Sequence, residues 1–400
     1  MLLSVNVTNF RSCHNVNLRD THDILALIGR NGVGKTNILK AIEWASKVGS
    51  ATGALDNLPI LVQRGQVELR IKLAEKVLSY SVKLEIDFNQ SENRGTVYYL
   101  VEKLVQEHAD GSVKTIFRRD KGEVFIGEDD QKLTIGLLSP ATYSILSLVP
   151  DSPIVDLLSS VVNFFASVRY YPIEEIDDDS NLVFVSQSDY ENWVGTKVLP
   201  KSANKLLSLK LLDLSLKKKE VYSELLSLLG ADGLDVLKGI SVTPFDIPMG
   251  GKEEVIGDEK PRMAKYYFFQ FQPSGHPLGR EFPFASLSFG TRRVVRLLTY
   301  LVYDRAAVSL IEQPEDGIHP GLLHKLIPIL RSYANPNQFI ITSHSPEVFN
   351  RINPDEVRLV DLKDGMTSVR ALTQKELLAA RHFMQSDGPL SEFIESVQEL

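Results

Sequence analysis

A single cysteine, Cys13, occurs in 400 residues. One thiol excludes an intramolecular disulfide and leaves no cysteine cluster for zinc, which suits a reducing compartment. Long hydrophobic runs are also missing. The most apolar stretch, Leu137 to Val168, is broken by Pro140, Pro150, Asp151, Pro153 and Asp156, short of the ~20 uninterrupted residues a membrane helix needs. Met1 to Phe10 has neither the basic n-region nor the apolar core of a signal peptide, so a cytoplasmic chain with no membrane partner is expected. Basic residues are not in excess: 44 Lys and Arg against 51 Asp and Glu give a net charge of −7. That balance excludes a surface coated with nucleic-acid contacts, and any grip on DNA has to come from a local patch. Internal repeats and low-complexity tracts are absent too.

What is present is ordinary globular usage, 43% hydrophobic and 24% charged residues, over a length that exceeds one typical domain. Leu2 to Val7 alternates apolar and polar residues, and Ile24 to Ile28 is a short apolar run ending at Gly29, so both are expected strands. Asn37 to Val48 carries Ile38, Leu39, Ala41, Ile42 and Ala45 at helical spacing. Between Val67 and Ile126, β-type runs separated by turn signals at Asn93-Arg94-Gly95, Asp110-Gly111 and Lys121-Gly122 predict an antiparallel meander. Pro153 to Phe165 and Asn204 to Leu229 are expected to be helical, with an acidic loop from Glu174 to Asp179 between them. Strand character returns at Tyr266 to Phe271 and Ala307 to Ile311, with a helix after Gly290. The fold class is therefore α/β: a first lobe with an antiparallel β subdomain over 1–150, an inserted helical arm over 151–240, and a second α/β lobe over 241–400.

Gly29-Arg30-Asn31-Gly32-Val33-Gly34-Lys35-Thr36 matches the phosphate-loop pattern G-x-x-x-x-G-K-[ST] and lies between an expected strand and an expected helix. Glycines let backbone N–H groups turn in around phosphates, the helix dipole adds positive potential, and a lysine neutralises the β and γ charges. Asn31, Gly32, Val33, Gly34, Lys35, Thr36 and Asn37 are thus the expected nucleotide contacts, with Thr36 on Mg²⁺. Val308 to Ile311 is a buried-type strand ending in Glu312, the arrangement that holds a Mg²⁺-bound water at the carboxyl edge of a sheet. Glu312 is the second expected metal-side residue.

Two further segments gain meaning from company. Leu287-Ser288-Phe289-Gly290-Thr291 places a hydroxyl and a glycine at the start of an apolar helix, where a γ-phosphate can be held. It stands about 20 residues ahead of the carboxylate strand. Phe339 to Ser345 is another apolar strand ending in hydroxyls and His344, which can hydrogen-bond a γ-phosphate and register its loss.

In one order, Asn9-Phe10-Arg11-Ser12, the phosphate loop, Leu287-Ser288-Phe289-Gly290-Thr291, Glu312-Gln313-Pro314-Glu315-Asp316-Gly317-Ile318-His319-Pro320 and Thr342-Ser343-His344-Ser345-Pro346 resemble RecF/OLD-like, SMC-related ABC-type ATPases. The resemblance implies ATP and Mg²⁺ as cofactors and a homodimer with two interfacial ATP sites. It implies that Arg11 approaches the phosphates, that Ser288, Phe289 and Gly290 of one subunit complete the site of the other, and that Asp316 to Pro320 lies at the subunit interface. Glu312, Gln313 and His344 stand at the catalytic positions. Gln313 departs from the pattern, because such ATPases usually carry there a glutamate that polarises the attacking water. An amide cannot accept that proton near neutral pH, so slow hydrolysis is expected. Natural divergence, with Glu315 or Asp316 substituting, and an engineered glutamate-to-glutamine trap both account for it.

OLD proteins continue into a Toprim nuclease, whereas this chain ends about 50 residues after His344. The expected function is therefore an ATPase that controls a separately encoded effector, a nuclease or toxin, in bacterial anti-phage defence, as in PARIS or Septu. A RecF-like repair ATPase that grips DNA through Lys205, Lys210 and Lys217 to Lys219 is the alternative, and a transporter's nucleotide-binding subunit the third. Leu372 to Leu400 is expected to form amphipathic helices that pack or dock a partner.

Overall fold

The computed structural model describes every residue except 53–64, 88–96, 129–130, 173–183, 197–199, 201–202, 249–262, 277–279 and 399–400. The turn signal at Asn93-Arg94-Gly95 and the acidic stretch Glu174 to Asp179 lie outside the described residues. In chain order the first elements are β1 (Leu2–Phe10), β2 (Cys13–Leu18), β3 (Ile24–Ile28) and α1 (Lys35–Ser50). Next come β4 (Gln66–Leu73), β5 (Lys76–Asp87), β6 (Val97–Glu107), β7 (Val113–Asp120), β8 (Glu123–Ile126) and β9 (Gln131–Thr134). The middle of the chain holds α2 (Ala141–Leu148), α3 (Val155–Ala166), β10 (Val168–Tyr171), β11 (Phe184–Ser186), α4 (Gln187–Thr196), α5 (Ala203–Lys217), α6 (Lys219–Leu229), β12 (Leu237–Pro248) and β13 (Met263–Pro273). It ends with α7 (Phe289–Asp304), β14 (Val308–Glu312), α8 (Pro320–Ser332), β15 (Gln338–Ser343), α9 (Pro346–Phe349), β16 (Val357–Lys363), β17 (Met366–Ala371), α10 (Gln374–Ser386) and α11 (Leu390–Gln398).

Two compact units emerge: Met1–Pro172 with Ala306–Glu315 and Ile327–Leu400, and Ile173–Arg305 with Asp316–Leu326. The expected boundaries at 150 and 240 do not coincide with them, since α3 belongs to the first unit and α7 to the second.

In the first unit a six-stranded sheet runs β10-β14-β15-β3-β16-β17. Its four inner neighbours pair in parallel, and only β17 turns back antiparallel on β16. Strands β3, β14 and β15 are buried along their whole length, which is why they read as unbroken apolar runs rather than alternating ones. Register sets Glu312 opposite Thr342 and Ser343 opposite Ile28, so three strands end together at one carboxyl edge. A second, antiparallel sheet follows the order β2-β1-β4-β5-β6-β7-β8-β9. Its β4 alternates buried Val67, Leu69 and Ile71 with more exposed neighbours, as a strand with one face in a core must. Helix α1 shares one apolar cluster with both sheets, Ile38, Leu39 and Ala45 meeting Val67 and Leu69 of one and Val308 and Leu310 of the other. A fully buried guanidinium ties the antiparallel sheet. Arg119 donates to Glu102 at 2.6 Å and to the carbonyls of Gly136, Leu137, Ser139 and Lys121, while Glu102 also accepts from Tyr80 at 2.8 Å.

The second unit combines a three-stranded antiparallel sheet, β11-β13-β12, with helices α4 to α7. Asp213 of α5 accepts from the hydroxyls of Tyr190 and Tyr303 at 2.7 and 2.8 Å, and Lys210 pairs with Asp304 at 2.7 Å. Lysines that could have formed a basic stripe are largely engaged inside this unit. Lys217 lies over the Tyr190 ring, Lys218 over the Tyr303 ring, and Lys205 pairs with Asp189.

Candidate functional site

The loop after β3 makes a concave turn because two of its residues adopt backbone conformations that favour glycine. Gly32 has φ 82° and Gly34 φ 100°. Gly34 and Gly29 are also places of close approach: a β-carbon would lie 2.0 Å from Thr367 Oγ1 at Gly34 and 2.1 Å from the Val360 carbonyl oxygen at Gly29. Helix α1 starts at Gly34 with no side-chain cap and no acidic residue in its first turn. Its first N–H groups therefore lack intrahelical acceptors and point toward an anion site. The Lys35 ammonium bends back onto the carbonyls of Gly29 and Arg30 at 2.6 and 2.8 Å. Burial pushes its pKa down, and the carboxylates of Glu315 and Glu312 oppose that shift.

Glu312, at the end of β14, is only 8% exposed and receives a hydrogen bond on each carboxylate oxygen, from Thr36 on Oε1 and from Tyr170 on Oε2. Tyr170 belongs to β10, whose parallel register puts it opposite Leu310. Burial, then the bond to Glu312, raises this phenol well above its ordinary range, which keeps it a donor. The motif reading missed Tyr170, since a four-residue edge strand leaves no periodic signal. Gln313 follows with φ 40°, its backbone N–H bound to the Thr342 carbonyl at 3.0 Å and its amide Nε2 2.5 Å from His344 Nδ1. Glu315 reaches the end of β15: Oε1 accepts from Ser343 Oγ at 2.7 Å and from the His344 backbone N–H at 3.0 Å. Its Oε2 is buried without a hydrogen-bond partner.

A cleft of about 320 Å³ is lined by Asn31, Gly32 and Gly34 of the loop, by Lys35 to Asn37, and by Gln313 and Thr342 from two strand ends; His344 lines a separate cleft with Arg30 and Asn31. Val33 is buried, its carbonyl accepting from Thr367. Arg11, at φ 54°, donates to Asn37 Oδ1 at 3.1 Å, and its buried Nε has no partner. The opening Asn9-Phe10-Arg11-Ser12 segment and the helix start thus share one hydrogen-bond relay, continued by Asn37 to Ser12 and Ser12 to Thr367. Triphosphate fits this cleft through the uncapped helix N–H groups and the Lys35 ammonium, whereas Arg11 is not among the residues that line it. Mg²⁺ fits Thr36 and Glu312, because this ion takes few protein ligands and completes its octahedron with phosphate oxygens and water. Among the described residues no group of three His, Cys, Asp or Glu forms a self-sufficient metal cage.

Ser288, Phe289 and Gly290 belong to the second unit. Ser288 caps α7, its Oγ accepting from the Thr291 N–H at 3.2 Å. The turn after β14 packs beside that helix start: a β-carbon at Gly290 would meet the Gly317 carbonyl oxygen at 2.5 Å, and Arg293 lies 3.7 Å from Asp316. Phe289 stays 48% exposed.

Strand, glycine turn, lysine-led helix and strand-end carboxylate together define a P-loop nucleotide-binding protein of the ATPase class, built on an α/β fold with an antiparallel sheet beside the parallel one. More specifically, the chain belongs to the AAA-domain family, whose model matches residues 4–228, over half its length. A second model, described as "AAA domain, putative AbiEii toxin, Type IV TA system", matches residues 252–350. The chain is 30% identical over 93 residues to the DNA replication and repair protein RecF of Paenarthrobacter aurescens strain TC1, spanning 23% of this chain and 23% of RecF. It is similar to the SMC head domain from Thermotoga maritima, with 14% identity, 93% and 99% of the two chains covered and a TM-score of 0.42. The Pyrococcus furiosus Smc head domain bound to the C-terminal domain of ScpA gives 13% identity, 96% and 99% coverage and a TM-score of 0.45. Among the described residues no helix is long and apolar enough to cross a membrane.

Proposed function

We propose that this chain is an ATP-operated switch that controls a separately encoded effector, a nuclease or toxin, in bacterial anti-phage defence. In this reading ATP and Mg²⁺ sit on Lys35, Thr36 and Glu312 of one protomer, and Ser288, Phe289 and Gly290 of a second copy close over them. The observation that carries the reading is one cleft lined by Lys35, Thr36 and Gln313, with Thr36 hydrogen-bonded to Glu312 and Gln313 to His344, and with an amide where proton acceptance is needed. Bound there, Mg²⁺ supplies neutralisation of charge across the phosphates. Lys35 turns from the Gly29 and Arg30 carbonyls to phosphate oxygens, and Thr36 and Glu312 orient the metal side. Gln313 holds water in place without removing its proton, so hydrolysis is slow and closure persists while ATP stays intact. His344, contacted at Nδ1 by Gln313 and at its backbone N–H by Glu315, registers the γ-phosphate. Support for a defence role comes from the second family match, which runs across the signature segment, the carboxylate strand and His344. An exposed aromatic ring beside an exposed capping serine suits closure against a second copy.

A RecF-like role in DNA repair is the second reading, favoured by the 93-residue similarity. Against it stand the net charge of −7 and the engagement of Lys217 and Lys218 with tyrosine rings.

Sedimentation with and without ATP and Mg²⁺, paired with turnover of Gln313→Glu, tests the proposal. ATP should convert monomer to dimer, and the glutamate variant should hydrolyse at least about a hundredfold faster, in line with the usual contribution of a general base. A mass that ignores ATP, or a glutamate variant no faster than the native chain, refutes it. Proteins that co-purify with the native chain then separate an effector from duplex DNA as the controlled partner.

A further inference from the structure

Tyr170 lies in none of the sequence motifs, yet its hydroxyl donates to Glu312 Oε2, as Thr36 does to Oε1. Parallel pairing of β10 with β14 puts Tyr170 beside Leu310, and the period-two alternation of a strand brings Glu312 onto the same side of the sheet. From that diagonal position the phenol reaches forward to Oε2, while Thr36 reaches Oε1 from the first turn of α1. A carboxylate with one donor can still swing about its terminal torsion. With a donor on each oxygen, from two elements that cannot move independently of the sheet, its plane is set.

We propose that Tyr170 is a positioning residue for the metal side of the nucleotide site: by holding Oε2 of Glu312 it aims Oε1 and the Thr36 hydroxyl at the Mg²⁺ that accompanies ATP. This inference rests on the nucleotide reading above and adds a residue to it. Its physical basis is the strictness of Mg²⁺, which demands near-octahedral geometry and here finds few protein groups to supply it. Orientation of those few groups then matters as much as their presence, and partners behind a metal ligand commonly contribute tenfold or more in affinity. A phenol suits the task. It donates to the carboxylate through a short charge-assisted bond, and its ring is anchored in the sheet edge. A purely packing role would need only the ring.

The two roles separate in a double-mutant cycle on the full chain, read by binding of a fluorescent ATP analogue as Mg²⁺ is titrated and by Mn²⁺ uptake in electron paramagnetic resonance. Tyr170→Phe keeps the ring and removes the hydroxyl. It should raise the Mg²⁺ concentration for half-saturation about tenfold while the metal-free affinity for the analogue stays within about twofold. In a Glu312→Gln background the same change should add nothing further, since the oxygen it serves no longer carries charge. A shift below about twofold in the native background, or an equal shift in both backgrounds, overturns the inference. So does failure of both Tyr170→Phe and Tyr170→Met to fold, which assigns the residue to packing. Absence of any Mg²⁺-dependent binding by the native chain counts instead against the nucleotide reading itself.

Discussion

Two glycines of the phosphate loop that look equivalent in sequence differ in what surrounds them, and alanine substitution should tell them apart. Both have positive φ, 82° at Gly32 and 100° at Gly34, so an alanine at either position costs about 1–2 kcal/mol in backbone strain alone. At Gly32 the added methyl meets nothing within 4 Å. At Gly34 it would lie 2.0 Å from Thr367 Oγ1 and 2.6 Å from Ser12 Oγ. Thr367 is buried and already committed, donating to the Val33 carbonyl at 2.9 Å and bonded to Ser12 at 2.7 Å. Pushing it aside strands buried polar groups at about 1–3 kcal/mol each. With both Thr367 bonds disturbed, Gly34→Ala should therefore cost about 3–8 kcal/mol where Gly32→Ala costs about 1–2. Thermal unfolding with and without ATP and Mg²⁺ reads both effects. A ligand at a hundred times its Kd stabilises by about 2.7 kcal/mol, and that increment should vanish in Gly34→Ala. Equal destabilisation by the two alanines, or a full ligand increment in Gly34→Ala, refutes the argument that the Thr367 contact distinguishes them.

Lys35→Ala should leave the fold intact, since it removes a partly desolvated ammonium along with its two carbonyl bonds. Nucleotide affinity measured by calorimetry should nevertheless fall by about tenfold to a hundredfold, the worth of a charge-assisted bond. An unchanged Kd would remove Lys35 from the site. Arg119→Ala should destabilise the antiparallel sheet by about 3–5 kcal/mol in chemical denaturation, because the buried Glu102 loses its counter-charge. Adding Glu102→Gln to the same chain should recover part of the loss; no recovery would mean that the carbonyl bonds of Arg119, not the ion pair, carry its effect.

Where one face or both faces of an element are buried, the chain announces it. Ile24–Ile28, Val308–Glu312 and Gln338–Ser343 read as strands because both faces are covered, while of the two helices over Asn204 to Leu229 only Lys219–Leu229 is one-sided, Ala203–Lys217 having Leu207, Leu209, Leu211, Leu212 and Leu214 all buried. The phosphate loop, Glu312, Gln313 and His344 were legible for a different reason: their spacing is dictated by a turn and by strand ends, which are local. What escaped was set by partners remote in sequence. Val168–Tyr171 is a strand only because β14 lies alongside, about 140 residues later in the chain, as the Tyr170–Glu312 bond records. Ala141–Leu148 is a helix inside the proline-broken apolar stretch, with Pro140 at its N-cap position. The β16–β17 hairpin could have been found, since Asp364-Gly365 between two β-type runs is a turn signal, and both residues have positive φ.

The placement of charge at the β14–β15 edge bears on what Gln313 does. A carboxylate is present there, but two residues further on: Glu315 is tied through Oε1 to Ser343 Oγ and the His344 N–H, with its side chain only 8% exposed. A general base must present a free lone pair to a water. Glu315 instead presents one engaged oxygen and one buried one, which suits it to holding the end of β15 rather than to taking a proton. Gln313 meets the same histidine at ring Nδ1 through its amide. An amide there forms the His344 contact without adding a negative charge beside Glu312 and Glu315. A glutamate in place of Gln313 would add like-charge repulsion beside Glu312 and Glu315, so on the proposed reading the amide that gives up proton acceptance also spares that corner a further negative charge.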